Sequence, residues 1–545
     1  MRGINQESNM TEAGTPAVTS SPSFSRRQTL VASALFAPGA ALLAGLLAVV
    51  LMLFLRVFAG IPTPMELFGD FALRRLDANT FVGLLLKFSP NSKTAPLGLA
   101  LLGMIGLGIA LGVLYAALVR LRLPVSGYRP TRREWLVALA FAAGMTLIGT
   151  VLFWSQLPQN FFGLPLGQAV PVTILGLLAD FVLYGTVLCL AYRALLPKLS
   201  APGVPAAVQG RRQLFARAGV AALSVGGVAG SYGLVRKFLQ NYTSYDGFKL
   251  GNYNRATPAI TTNSDHYVVT QNTVDPSPNI DLWRLEVSGL VNKPGSYTFA
   301  EVQQLPSTSR PITLECIANG RGDHLISTAI WQGVTLRTLL ERHGGAQSAA
   351  SHVAFYSIDG YSVSQPLKEV LEVDALLAWR MNGSELPQRH GYPMRVLIPG
   401  HFGEENPKWL TRVELTDHFV GGLYSDQGWY NGQVHTISRI DRPRDHVPVG
   451  QPVEVDGIAY AGARGIQKVE VSTDGGTSWQ QTTLQPALSQ DAWVLWSWQW
   501  RPLLPGKYTL VCRATDGTGE LQTSKDQNTV PGGGTGYHKI EVQVS

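Results

Sequence analysis

Long unbroken apolar runs fill residues 31–235, and no other feature constrains this chain as strongly. A bilayer core takes about 20 apolar residues as helix. Four segments reach that length, at about 31–55, 96–119, 135–155 and 170–192, and a shorter fifth, Ala218–Val235, is rich in Gly and Ala. Beyond residue 240 the sequence is ordinary globular sequence, so the averages of 46% hydrophobic and 15% charged conceal two unlike halves. A chain of 545 residues is too long for one core and is expected to form about three or four domains.

Loop charges orient the apolar segments. Arg26 and Arg27 precede the first; Arg120, Arg122, Arg129, Arg132 and Arg133 crowd the second loop, and Arg193, Lys198, Arg211, Arg212 and Arg217 the fourth. The third loop, around Asn160–Gln168, is uncharged, and the first, 59–94, is mixed, with its stretch near 65–88 reading as an interfacial helix. The positive-inside rule then predicts five spans, a cytoplasmic N-terminus and an extracytoplasmic C-terminal half. The net charge of +7 sits largely in these loops, and no basic stripe with interleaved aromatics appears, which argues against nucleic acid as a partner.

Arg211-Arg212-Gln213-Leu214-Phe215 ahead of the fifth segment resembles a twin-arginine export signal, as does Ser25-Arg26-Arg27-Gln28-Thr29-Leu30. Both pairs read equally as positive-inside arginines. A twin-arginine route carries folded, cofactor-loaded domains, so a cofactor downstream favours the export reading at 211. All ten histidines lie at or beyond His266, which excludes a histidine-ligated haem in the apolar half. Asp180, inside the fourth segment, is read as a carboxyl kept within the bundle rather than as part of an ion path. The three cysteines, Cys189, Cys316 and Cys512, form neither a disulfide framework nor a haem, zinc or iron–sulfur motif.

The outer half opens with 240–280, rich in Asn, Thr and Pro and read as a linker. Leu282–Val287 alternates as a strand, Thr298-Phe299 leads into a short helix, and Ile312–Cys316 is a strand running into Asn319-Gly320-Arg321-Gly322. Mixed strands and helices continue to about 440, an α+β pattern. From about Asp445 the chain is strand-rich, with a hairpin turn at Asp474-Gly475-Gly476 and Trp496, Trp498 and Trp500 on one face of a strand, as in a sandwich core.

Four blocks resemble the sulfite oxidase family of molybdopterin oxidoreductases, in the family's order. They are Ile312–Gly322 with Trp331–Leu336; Leu377–Gly383 with Leu386-Pro387 and His390–Arg395; Ile398-Pro399-Gly400; and Lys408-Trp409-Leu410, together covering about 265–440. The resemblance implies that Cys316 ligates molybdenum, and a soft thiolate at the mouth of a loop of small residues suits such a centre. It implies that His390, Arg395, Lys408 and Trp409 hold the pterin cofactor, an Arg fork and a Lys charge neutralising its phosphate. Val268, Val269, Thr270 and Asn272 are expected to line the cofactor through their backbone, Asp359 to contact it, and Tyr361 and Arg321 to face substrate.

Where sulfite oxidases place an arginine this chain has Thr270, and Asn319-Gly320-Arg321 replaces a run of two arginines after the ligand cysteine. Lost guanidinium groups weaken capture of a dianion. The resemblance therefore implies two-electron oxygen-atom transfer on a small sulfur or nitrogen oxo substrate, with sulfite dehydrogenation and S-oxide reduction as competing directions. A non-catalytic membrane binding protein that kept the fold is the rival reading. Electrons must pass to an external carrier, a cytochrome or a membrane redox subunit, since the chain has no haem or iron–sulfur motif. The expected organisation is a disordered cytoplasmic tail at 1–30, a five-helix membrane anchor at 31–237, a molybdopterin-binding domain at 238–440, and an immunoglobulin-like dimerisation domain at 441–545, through which a homodimer would form.

Overall fold

The computed structural model describes residues 26–87, 94–199, 206–238, 256–270, 275–444 and 446–545. Asn272, the tail before Arg26 and, within the 240–280 linker, residues 240–255 and 271–274 thus lie outside the described residues. Among the described residues, seven helices occupy the first half: α1 (Arg26–Ala59), α2 (Pro64–Leu73), α3 (Ala78–Lys87), α4 (Thr94–Val119), α5 (Arg132–Leu152), α6 (Leu166–Leu195) and α7 (Ala206–Phe238). Five of them contain stretches long and apolar enough to cross a membrane: Leu35–Ala59, Leu102–Val119, Arg132–Leu152, Leu166–Leu195 and Val208–Lys237.

Two details differ from the sequence expectation. The stretch near 65–88 forms two helices rather than one. Thr63 and Glu66 cap the start of α2 reciprocally, with Pro64 in its first turn. Asp77 then accepts the N–H groups of Asn79 and Thr80, and so opens α3 rather than continuing α2. The arginines at 211 and 212 lie inside α7 instead of in a loop, because residues 206–217 are good helix formers that extend the apolar helix backwards.

The chain divides into two compact units, whose described parts come from Met1–Ala48, Met104–Gly144 and Phe181–Ala229, and from Val49–Gly103, Met145–Asp180 and Gly230–Ser545. The first unit is helical. Its helices meet through small residues, Gly112 lying on Ala41, and the Tyr184 hydroxyl donates to the Gly108 carbonyl at 2.5 Å. Arg193, counted among the loop cations, instead forms a buried ion pair with Glu134 at 3.2 Å.

The second unit holds the outer half. One five-stranded sheet runs in the order Gly295–Tyr297, Leu285–Gly289, Leu410–Thr416, His352–Ser357, Ser362–Pro366. A second sheet orders Thr308–Glu315, Ile326–Thr335, Leu376–Met381 and Ser384–Glu385, with Arg395–Leu397 added on Leu376–Met381. Trp283, Phe355, Trp379, Trp409 and Leu410 are among the buried residues of one core, and Ile312, Trp331 and Leu397 among those of another. Near the site Glu315, at the end of a second-sheet strand, bridges Phe402, while Leu410 pairs with Ser357 within the first sheet.

The C-terminal region is sheet-rich, with one four-stranded sheet (Ile437–Arg442, Val453–Tyr460, Val494–Trp500, Thr483–Leu484) and one five-stranded sheet (His446–Val447, His538–Val544, Gly506–Asp516, Ile466–Ser472, Gln480–Gln481). Trp496 and Trp500 are buried in a core shared with Val469, Val471, Leu510 and Cys512, and Trp498 packs against it. The strand Ile437–Arg442 already belongs to this region, so it begins a few residues before the expected boundary at 441.

Asp180 is buried, and its Oδ1 has no hydrogen-bond partner. Asp70, at the end of α2, is held differently: Gln159 donates to its Oδ2 at 2.5 Å. Burial pushes the Asp70 carboxyl up to about 7, outweighing the adjacent Arg74. Its folded value lies above its unfolded one, so its contribution is complete at low pH and is lost as pH rises towards 7. Asp70→Asn should therefore gain stability relative to wild type between pH 5 and pH 8, read as a widening difference in melting temperature; a pH-independent difference would refute it.

Candidate active site

Cys316 follows directly on the strand Thr308–Glu315. Its N–H donates to Leu325 O at 2.9 Å, and Asn319 N–H donates back to Cys316 O at 2.8 Å, which closes a tight loop. Asn319 rivets that loop, donating to Glu315 Oε1 at 2.9 Å and accepting from Leu325 N–H at 3.0 Å. The thiol is free and buried, and burial pushes it well above its ordinary range, with the Glu404 and Glu315 carboxyls adding to the rise.

The segment 399–409 brings the remaining groups to this thiol. Gly403 passes so close that a methyl placed on it would lie 2.6 Å from the Tyr267 hydroxyl and 3.7 Å from Cys316 Cα. Glu404 places a buried carboxyl here, beside the backbone N–H of Ile317; neither oxygen reaches full hydrogen-bond geometry, and burial pushes the group well above the usual carboxylate range. The Tyr361 hydroxyl donates to Glu404 O at 2.5 Å, and its ring lies 5.9 Å from that of Tyr424. Tyr361 sits on the hairpin between His352–Ser357 and Ser362–Pro366, where its N–H donates to Asp359 Oδ1 at 3.2 Å.

A second cluster gathers around Gly391. A methyl there would lie 3.0 Å from Cβ of both Arg395 and Lys408. Arg395 is 5% exposed; it donates to His390 O at 3.0 Å and Asn406 O at 3.1 Å, and its Nε has no partner. His390 is kept neutral, burial lowering it to about 4, and its Nε2 donates to Asn263 O at 2.8 Å. That proton is therefore committed to Asn263, where the resemblance had it serving the cofactor. Lys408 donates to Arg389 O at 3.2 Å, and Trp409, at positive φ, donates to Gln388 O at 2.9 Å.

Besides Glu404, two residues that sequence reasoning passed over join these clusters. His266 lies 5.1 Å from the His390 ring, donates from Nδ1 to Tyr267 O at 3.1 Å, and is left with a buried Nε2 that has no partner. Its neighbour Tyr267 has its hydroxyl beside Gly403 and the Cys316 backbone. Val268, Val269 and Thr270 continue from them without regular secondary structure. The signal for His266 was its place immediately before that segment; for Glu404 it was an acidic pair, Glu404-Glu405, between two matched blocks. The Arg321 guanidinium is turned to the C-terminal region, donating to Thr535 O at 3.0 Å and pairing with Asp526 at 3.2 Å.

The donor set fits a molybdenum pterin. It offers one soft thiolate, an orphaned buried donor in Arg395 Nε, and an orphaned buried acceptor in His266 Nε2, which suits the N–H groups of a heterocycle.

Residues 272–424 match the family model for the oxidoreductase molybdopterin binding domain, and residues 430–545 match that for the Mo-co oxidoreductase dimerisation domain. Over these residues the chain is similar to the sulfite oxidase family of molybdopterin-dependent oxidoreductases. It is similar to inducible nitrate reductase [NADH] 1 of Glycine max, 28% identical over 284 residues, covering 41% of this chain and 32% of that protein. Mitochondrial sulfite oxidase of Mus musculus is also 28% identical, over 326 residues, covering 49% of this chain and 59% of that one. The chain thus spans less than two thirds of these curated relatives. A solved sulfane dehydrogenase, SoxCD from Paracoccus pantotrophus, aligns at 24% identity and a TM-score of 0.48, covering 53% of this chain and 83% of that chain. The chain thus carries a region similar to a molybdopterin-binding oxidoreductase domain, followed by one similar to the dimerisation domain of such enzymes.

Proposed function

We propose that this protein performs two-electron oxygen-atom transfer at a molybdenum pterin on a small sulfur or nitrogen oxo substrate, with its catalytic part outside the membrane. The observation that carries the reading is the Cys316 thiol, buried at the meeting of the Tyr267, Tyr361 and Glu404 segments, with orphaned donor and acceptor atoms along the adjoining wall.

Cys316 holds the metal. Arg395, His390, Lys408 and Trp409 hold the cofactor from one side, with His266 and Val268–Thr270 beside them, while Asp359 acts through the hairpin it caps. When bound, the cofactor supplies the two-electron redox couple and the exchangeable oxygen. The Tyr361 hydroxyl, its proton committed to Glu404 O, offers oxygen lone pairs that orient a substrate donor. Tyr424 and the Glu404 side chain wall off bulk water on that flank.

Between the two directions, one observation favours S-oxide reduction over sulfite oxidation. The charges felt by Cys316 are carboxyls, Glu404 and Glu315, while Arg321 is engaged elsewhere and Thr270 carries no charge. Burial pushes both carboxyls up towards their neutral form, so this flank offers no cation to capture a dianion and tolerates a neutral S-oxide. Electrons would be exchanged with an external carrier, a cytochrome or a membrane redox subunit.

The five apolar helices serve as the multi-pass anchor. Leu107, Leu136, Leu147, Val151 and Leu175 are exposed on them, an arrangement stable in lipid and costly in water. The arginine pair at 211 and 212, close to the start of α7, suits either export or retention on the cytoplasmic side.

Purified full-length protein should contain about one molybdenum per chain, and neutral S-oxides should reoxidise the reduced enzyme faster than sulfite reduces the oxidised one. Protein made with ample cofactor supply yet free of molybdenum would leave only the non-catalytic binding reading.

A further inference from the structure

The hairpin that carries Tyr361 is gripped from behind by the helical half of the chain. Arg74, which closes α2, donates from Nη2 to Gly360 O at 2.6 Å. Gly360 has φ of +78°, and a methyl on it would fall 2.3 Å from Gln159 Nε2, so its backbone passes close against that side chain. Gln159, in the turn after α5, is itself fixed by its bond to Asp70 of α2.

A second grip reaches the other tyrosine. Gln427, in the 3-10 turn directly after Tyr424, donates to Leu73 O at the end of α2 at 2.7 Å. The same turn of helix therefore holds both segments whose rings meet, and the Tyr424 hydroxyl feels Cys316. Nearby, Asn279 N–H donates to Phe162 O at 3.0 Å, and Trp283 packs on Gly163. On its opposite side the hairpin is tied to the cofactor-holding segment, Ile358 N–H donating to Trp409 O at 2.9 Å.

An anchor that only tethered a catalytic domain would need a linker and no charged contact with its active-site hairpin. We propose that Arg74 and Gln159 are positioning residues of the catalytic site: they set the Gly360 peptide and, through it, the Tyr361 hydroxyl, so that the helical half completes the site rather than merely holding it at the membrane. This rests on the reading of Cys316 and Tyr361 as the reaction centre. Free of the grip, the Asp359-Gly360-Tyr361 turn keeps its own bonds, Gly360 N–H to Ser357 O at 3.0 Å and Ser357 N–H to Tyr361 O at 2.9 Å, but loses the contact that fixes its outward face. A small displacement of a substrate-orienting group is enough to slow a reaction strongly.

The test uses the full-length, molybdenum-loaded protein and the variants Arg74→Ala, Arg74→Lys, Tyr361→Phe and the double Arg74→Ala/Tyr361→Phe. Expected are a loss in kcat/KM on the order of tenfold for Arg74→Ala, partial recovery in Arg74→Lys, unchanged molybdenum content, and a double variant no slower than Tyr361→Phe alone. Hydrogen exchange at the Gly360 and Tyr361 amides should quicken in Arg74→Ala, a readout independent of turnover. Wild-type rates in loaded Arg74→Ala, or losses that multiply in the double variant, overturn the proposal. Where Arg74→Ala fails to accumulate, Gln159→Ala reads the same junction with the same expectations. Wild-type protein without molybdenum would instead sink the oxygen-transfer reading, and the exchange measurement alone would then decide whether the grip exists.

Discussion

Cys316→Ser should bring turnover below detection while leaving the fold in place. Serine is nearly isosteric, and the loop is fixed by backbone and Asn319 bonds that do not involve the sulfur. The altered property is the donor atom. A hydroxyl is hard and keeps its proton at neutral pH, whereas a thiol surrenders its proton on coordinating a soft centre. Loss of groups that merely support a ligand costs about 10–100-fold, so loss of the ligand itself should exceed roughly a hundredfold. The checks are turnover, molybdenum content and the ligand-to-metal absorption of the oxidised protein. Pterin should be largely retained, because the Gly391 cluster is untouched, while the sulfur-derived absorption should vanish. Full activity in Cys316→Ser would remove the basis of the assignment.

Arg395→Met is expected to be the other severe change, acting on both stability and cofactor. Arg395 is one of the most buried cations of the outer half, and its two hydrogen bonds satisfy the carbonyls of His390 and Asn406. Methionine fills much of the volume but orphans both carbonyls, costing about 1–3 kcal/mol for each. Burial lowers the guanidinium only to about 10, so it stays charged at neutral pH and available to an anionic cofactor tail. The variant should therefore melt lower even without cofactor, and should lose molybdenum and pterin together on dialysis. Arg395→Lys keeps the charge but cannot serve both carbonyls, and should fall between. Undiminished cofactor retention in Arg395→Met would show that the tail is neutralised elsewhere, with Lys408 the nearest alternative cation of the cluster.

The five apolar helices, the strand into Cys316, the capped helix at Phe299–Gln303 and the strand-rich C-terminus were legible because each is written in local periodicity or capping chemistry. The cluster of His390, Arg395 and Lys408 was legible by resemblance, and the chain does bring the three around one turn. Arg321 shows where such reasoning ends: five residues from the thiol in sequence, its guanidinium is claimed by Thr535 and Asp526 more than two hundred residues away. His266, Tyr267 and Glu404 carry no motif; only tertiary packing brings His266 to His390, and Tyr267 and Glu404 to the Cys316 loop.

By itself the sequence determined that the chain has an apolar helical half and a globular half, and that one cysteine in a matched block stands apart from the other two. Hydrophobic runs, caps and turn residues act over a few positions, so a linear reading captures them. Only the tertiary structure decided that Glu404 lies beside that cysteine and that Arg74 reaches the carbonyl of Gly360. Contacts between residues hundreds of positions apart depend on where whole elements pack, and no local pattern encodes that.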